Sequence, residues 1–357
     1  MSEFVFEPRS IEDSHTLTML IRKGVHEDTT LAEKIMPLRS TSKRRIKIKT
    51  REFDPSALGQ FKATNANTPI RTGGGTVETT YQELVDLEEK EVLSQQDILD
   101  LASIDDRVQL EAARNVAEVV MELRQRNRQL TNWMRWKALQ DELTITYHDG
   151  TAIAIDFDLN NTDARMKTNH VKDVHSSAPW NNAASDIIGT MQTWLDELSN
   201  DAGVNGASLI VNQATWRHMQ KNTVIKGFLS ESYGALKIPS LKAVASMFWD
   251  IDPDNPENGQ ILVEDKFYRD AADARQYFVP DGYALLTTPW VVDNEPIAVM
   301  FDGPVVKVQG NDLVVSNNPG AEAEMYIDAE AKRKNIRVAT ARMPWMRREC
   351  FIWARVY

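Results

Sequence analysis

From Ile104 to Glu142 the chain runs without a proline or a glycine. Over that stretch Val108, Ala112, Val116, Val119, Val120, Leu123, Leu130, Met134 and Leu139 recur at helical spacing. The pattern predicts a single helix on the order of 55 Å long at 1.5 Å per residue. A helix of that length exceeds what a compact domain uses as one element among several, so it reads as a spine. Ser94 with Asp97, and Ser103 with Asp106, are candidate caps for two helix starts just ahead of it. Asp105, Asp106 and Glu111 come early and Arg124, Arg126, Arg128 and Arg135 late, the order that suits the helix dipole.

What surrounds the spine is mostly extended. Residues 1–42 carry Pro8, Gly24 and Pro37 and read as an arm with one short helical piece near Ser14 to Arg22. Arg45-Ile46-Lys47-Ile48-Lys49-Thr50-Arg51 alternates charged or polar with apolar residues, as a strand with one wet face does. A polar stretch from Asp54 to Thr80 follows, with Pro55, Gly59, Pro69 and Gly73-Gly74-Gly75, and a second extended segment leads from Glu78 to Leu93. A loop of this length is uncommon in a compact domain and usually has a task. Beyond the spine, Leu143–Tyr147 and Thr151–Phe157 flank an Asp149-Gly150 turn, a β-hairpin signature. Asn160 to Trp180 reads as a polar linker at a boundary. An α/β block comes next: helix Ala183–Ser199, strand Ala207–Asn212, one helix from Gln213 to about Phe228, and strand Gln260–Glu264. Tyr277-Phe278-Val279 and Tyr283–Thr287 read as a strand pair about a Pro280-Asp281-Gly282 turn with proline at its first central position. Strand-like sequence returns at Pro304–Val308, Leu313–Val315, Arg337–Ala341 and Cys350–Val356.

The chemistry-bearing residues do not assemble into a familiar site. The lone Cys350 sits beside Phe351, Ile352 and Trp353 and reads as a buried, inert thiol. His15, His26, His148, His170, His175 and His218 lack metal-ligand spacing. Asp250, Asp252, Asp254 and Asn255 resemble a calcium loop, but Pro253 and Pro256 break the pattern and no glycine stands at the sharp turn. Thr72-Gly73-Gly74-Gly75-Thr76 is not followed by Lys-Ser or Lys-Thr, so a phosphate-cradling enzyme, a hydrolase or nucleotide-binding protein, is the weaker alternative. No cofactor and no metal centre is expected, and no enzymatic activity. The net charge of −11 argues against a surface built throughout to grip nucleic acid. No stretch approaches the roughly 20 apolar residues of a membrane span, and the first residues lack a signal-peptide layout.

The order of these segments resembles the lambda-like major capsid proteins of tailed bacteriophages (the capsid protein E family). The closest local match runs from the strand Leu209-Ile210-Val211 and Trp216, through Ile261-Leu262-Val263, to Phe278-Val279-Pro280-Asp281-Gly282 and Tyr283-Ala284-Leu285-Leu286. The resemblance implies an α+β chain with the Hong-Kong-97-type capsid fold. It would comprise an N-terminal arm (1–42), an extended β loop (43–93), a peripheral domain with the spine helix and hairpin (94–178), an α/β axial domain (179–325) and a C-terminal return to the peripheral domain (326–357). It implies hexamers and pentamers of an icosahedral head in the virion, assembled in the host cytoplasm with a separate scaffolding protein and a portal, and with loose contact to packaged DNA. A decoration protein is left open, and a nanocompartment shell of the encapsulin kind is the alternative within the fold. The candidate contacts between subunits are the basic strand Arg45, Lys47 and Lys49, the tip Gly73, Gly74 and Gly75, and an acidic counterpart on Glu88 and Glu89. Such faces would meet a neighbour or each other, and an ordinary solvated charged strand is the alternative.

Overall fold

The computed structural model describes residues 29–51 and 77–357, except 104, 148–149, 161, 163–165, 207, 234–237, 250–258, 271, 293, 310–311, 317–319 and 329–332. The expected arm helix near Ser14 to Arg22, the loop tip with Gly73–Gly75 and the aspartates at Asp250–Asp254 lie outside the described residues.

The first third holds helix α1 (Leu31–Ile35), strands β1 (Leu38–Ser40), β2 (Arg45–Arg51), β3 (Val77–Glu83) and β4 (Val85–Val92), and helices α2 (Gln95–Leu101) and α3 (Asp106–Leu139). Then come β5 (Leu143–Thr146), β6 (Ala152–Ile155), β7 (Val171–Asp173), α4 (Ile187–Ala202), β8 (Ser208–Val211), α5 (Gln213–Lys221), α6 (Thr223–Tyr233) and α7 (Leu241–Ala245). The last part is strand-rich: β9 (Gln260–Val263), β10 (Phe267–Arg269), β11 (Arg275–Tyr277), β12 (Tyr283–Thr287), β13 (Val291–Val292), β14 (Glu295–Pro296) and β15 (Ala298–Gly303). It ends with β16 (Val306–Gln309), β17 (Asp312–Val315), β18 (Glu322–Asp328), β19 (Arg333–Met346) and β20 (Phe351–Arg355). Among the described residues, one compact unit takes those up to Ile46 with Tyr81–Arg135 and Val299–Trp345. The other takes those within Lys47–Thr80, Trp136–Ala298 and Met346–Tyr357.

The spine is α3, and both of its ends differ from the expected ones for local reasons. It starts at Asp106 because Asp105 caps it: the Asp105 carboxylate accepts from Arg107 N at 2.9 Å, and Ser103 Oγ accepts from Asp105 N. It stops at Leu139 through a Schellman-type end, in which Glu142 N donates to Lys137 O and Asp141 N to Ala138 O. Asp141 holds the left-handed position at φ 59° that glycine usually takes, so no glycine announces the stop. Its carboxylate accepts from Phe157 N at 2.8 Å.

Burial, reinforced by Asp156 and Asp158, raises the Asp141 carboxyl to about 6 from an ordinary 3.8. Between those pH values the folded chain binds a proton that the unfolded chain lacks, so this residue's contribution to stability falls as pH rises from 4 to 6. Asp141→Asn keeps the acceptor for Phe157 N and tolerates the positive φ. The variant should be the more stable one at pH 7.5, by less than about 1 kcal/mol since the group is half exposed. Its urea midpoint should change less than the parent's between pH 5 and pH 7.5.

In the first unit, β4 and β18 each pair antiparallel with β19, and β1 pairs parallel with β15, in a sheet ordered β1-β15-β19-β18 with β4 also on β19. The α3 face carrying Ala112, Ala113, Val116, Val120 and Leu123 packs with Ala323, Ile336 and Val338. One helical turn further on, the buried face becomes polar. Asn127 donates to Leu87 O and accepts from Thr340, Thr131 accepts from Arg342, and Arg342 meets Asp302 at 3.1 Å. Paired and hydrogen-bonded, these buried groups avoid the cost of an orphaned polar atom.

In the second unit a mixed sheet runs β7-β20-β12-β8-β9. Leu209, Val211, Ala284, Leu286, Ile352 and Ala354 from this sheet join Met191, Trp194, Leu198, Trp216 and Met219 from the helices in one core. The segment expected as a linker supplies β7, parallel to β20. The single helix expected after Gln213 is two, because Asn222 ends α5, accepts from Ile225 N and donates to Ser185 O. The strand pair expected about Pro280 to Gly282 is absent. β11 pairs back with β10, whereas β12 lies between β8 and β20, so the turn joins two different sheets. Proline is also one place earlier than expected: Tyr283 N donates to Pro280 O, which makes Asp281 and Gly282 the central residues.

Candidate assembly surfaces

β2 and β3 form a sheet with each other and, among the described residues, with no further strand. A two-stranded ribbon is marginal by itself and leaves two open edges. Arg45 is exposed and Ile46 buried, which keeps the predicted alternation, while the side chains of Lys47 and Lys49 lie outside the described residues. Glu88 and Glu89 are not on the ribbon. The chain breaks at the buried Leu84, whose N–H donates to Arg44 O and whose side chain fills the space a Cβ on Gly303 would need. β4 then starts and lies along β19. Glu88 and Glu89 are therefore part of a body sheet, in register with Ala339 and Val338.

The acidic residues there meet arginines within the chain. Arg44 grips Asp86 through two hydrogen bonds of 2.6 Å. Arg337 contacts Glu88 at 3.2 Å and Glu324 at 2.6 Å. Burial raises the Glu89 carboxyl, with Arg126 acting in the opposite sense. Exposed pairs such as Arg44 with Asp86 contribute about 0–1 kcal/mol each, so they orient the strand more than they hold the fold.

Cys350 and His170 are structural parts, while His15, His26 and His148 lie outside the described residues. Cys350 is buried, and desolvation pushes its thiol up to about 12, which leaves no thiolate at neutral pH. His170, which sequence reasoning set aside in a linker, is fully enclosed. Its Nδ1 lies 2.8 Å from Phe351 O and its Nε2 3.0 Å from Asp201 Oδ2. Asp201 also accepts from Lys167 N, Thr168 N and Thr168 Oγ1, so the pair staples the segment leading into β7 to the end of α4. His175 meets Asp173 in the open, and desolvation lowers His218. Among the described residues no group of three or more His, Cys, Asp or Glu side chains has metal-holding geometry. Among them, too, no helix is long and apolar enough to cross a membrane.

One outward face was missed altogether. β10 and β11 make a short hairpin in which Phe267 faces Tyr277, Tyr268 faces Gln276 and Arg269 faces Arg275. Tyr268 rests on the buried Phe278, with ring centroids 5.4 Å apart, and Phe278 stacks on Trp136 at 6.4 Å. The alternation then places Phe267, Tyr277, Arg269 and Arg275 together on the opposite face.

Comparison with known proteins agrees with this architecture. The structure resembles a phage-related protein from Bordetella bronchiseptica with a TM-score of 0.57 at 13% identity, covering 96% of each chain. It resembles a putative capsid protein of an Escherichia coli prophage with a TM-score of 0.58 at 11% identity, covering 97% of this chain and 99% of that one. At such identity the likeness speaks for the fold, the mixed helix-and-sheet fold of phage capsid proteins. No curated protein matches the sequence. Residues 38–304, most of the chain, match the family of phage major capsid protein E. With the capsid fold around those residues, the chain belongs to the phage major capsid protein E family and is a shell protein of the virion.

Proposed function

We propose that many copies of this chain close into the icosahedral head that encloses phage DNA, arranged as hexamers and pentamers, with shell-building as the chain's whole task. The family assignment carries this reading. Assembly would take place in the host cytoplasm with a separate scaffolding protein and a portal. Contact with packaged DNA would be loose, in keeping with a net charge of −11.

The ribbon β2–β3 and the tip at Gly73, Gly74 and Gly75 are the parts of the chain that reach a neighbour in this reading. What supports it is that the ribbon has no third strand among the described residues, while Arg45, Lys47 and Lys49 make one of its strands basic. Heterologous contacts of this sort close into rings when the rotation allows. Glu88 and Glu89, on β4, offer an acidic surface of the opposite sign.

Electron microscopy of particles from cells expressing the chain tests the shell itself. Reversing Lys47 and Lys49 together to glutamate tests the ribbon contact. We expect the doubly reversed chain to stay soluble as subunits and to give few closed shells. Shells of normal yield and size from that variant would remove the basic strand from the interface.

A further inference from the structure

We infer that the outward face of the β10–β11 hairpin is a docking surface for a carboxylate of a second copy of this chain, with Arg275 as its anchor. The inference rests on the shell-building reading above and names a contact within it.

The geometry is that of a prepared cation. The Arg275 guanidinium lies 3.9 Å from the centroid of the Phe267 ring and 4.9 Å from that of Tyr277. Contact with two rings holds the guanidinium in place, and its N–H groups can meet a planar anion by two parallel hydrogen bonds. Folding alone does not call for this arrangement. Arg269 and Arg275 face each other directly across the hairpin, and like charges so placed are destabilising. Asp273 neutralises Arg269 at 2.9 Å, which leaves the charge of Arg275 for something outside the hairpin. The support beneath is hydrogen-bonded and packed. Asp270 accepts from Ala272 N, Ala274 N and Gln276 Nε2, and Tyr268 is seated on Phe278. A hairpin that displays Arg with Tyr and Phe has the aromatic and arginine composition of interfaces.

Charge selects the partner. The chain carries 52 Asp and Glu against 41 Lys and Arg, so a second copy presents carboxylates in excess. Nucleic-acid phosphates fit less well. Backbone binding needs clustered cations, and here one arginine is already neutralised while Asp270 and Asp273 stand in the turn beside the other.

The test compares nuclease-treated full-length chain with Arg275→Ala and Arg275→Lys, measuring the concentration at which shells form, by sedimentation and electron microscopy. The melting temperature of unassembled subunits is measured in parallel. Arg275→Ala should raise the assembly concentration by about tenfold or more, the effect of losing one charge-assisted contact per interface. Arg275→Lys should restore little of it, since lysine offers neither the fork nor the flat stack. Subunit melting should stay the same within about 2 °C, because the residue is exposed. Assembly of Arg275→Ala within about twofold of the parent overturns the inference, as does normal assembly with weaker retention of added DNA, which would assign the face to phosphate. A parent chain that stays monomeric at every concentration, forming neither rings nor shells, overturns the shell reading and this contact together.

Discussion

Glu33→Ala should destabilise the first unit by about 3–5 kcal/mol, the usual result of stripping one partner from a buried ion pair. Glu33 sits on α1 and meets two arginines of the spine. Its carboxylate takes both ends of Arg128 at 2.8 Å and lies 3.7 Å from Arg135. Arg135 is only 2% exposed, and burial lowers its guanidinium from 12.5 to about 10, against the opposing pull of Glu33. Without Glu33, that cation keeps its hydrogen bonds to Met36 O at 3.0 Å and Asn132 Oδ1 at 2.7 Å and the more distant pull of Asp302. The same substitution opens the capping box of α1, in which Glu33 accepts from Thr30 N and Thr30 Oγ1 accepts from Glu33 N. The urea midpoint of the full chain reads the loss. Glu33→Gln, which keeps the hydrogen-bonding shape without the charge, should fall between. The double variant Glu33→Ala with Arg135→Met should lose less than the two single losses added together, since no buried charge is left alone. A loss below about 1 kcal/mol for Glu33→Ala would mean that water reaches Arg135 and that the pair behaves as a surface one.

This network shows where sequence reading stops. The spine was legible because a long stretch without proline or glycine and with apolar period 3.6 has few other solutions. Its polar buried end was not. Arg135 read only as a dipole partner, and Asn127, Thr131 and Asn132 drew no reading, because the groups that satisfy them lie far along the chain at Met36, Leu87, Thr340 and Arg342. β18 was hidden for the same reason. Glu322-Ala-Glu-Met-Tyr-Ile-Asp328 looks too acidic for a covered strand until Arg337 is seen against Glu324. The β10–β11 face was missed because Asp270 to Ala274 has loop composition, and because Tyr277 pairs with Phe267 and not across the nearby turn. The Arg45 strand was read from alternation alone, and alternation says which residues share a face without saying what covers it.

Gly282→Ala should destabilise the second unit by about 2–4 kcal/mol, adding the strain of a left-handed alanine to that of an overpacked contact. Gly282 closes the turn that most resembled the capsid family, and the structure explains its residue type twice over. Its φ is +81°, a conformation that L side chains rarely adopt, and a Cβ there would stand 2.5 Å from the Tyr357 carbonyl oxygen. That close approach follows from hydrogen bonding. Val356 N donates to Gly282 O at 2.7 Å, and Gly282 N donates to Thr215 Oγ1 at 3.3 Å. Asn212, which caps α5, donates through its side-chain amide to Asp281 next door. The turn is thus the point where the segment after β20, β12 and the start of α5 are fastened together. Gly150→Ala supplies the control. Gly150 has nearly the same φ, +84°, but no atom of the described residues lies within 4 Å of its would-be Cβ. It should cost only the strain, about 1–2 kcal/mol. Thermal and urea midpoints of the two variants separate the terms. Equal losses would show that strain alone excludes side chains at 282 and that the Tyr357 backbone moves aside freely. A larger loss at 282 identifies the turn as the seat of the C-terminal segment.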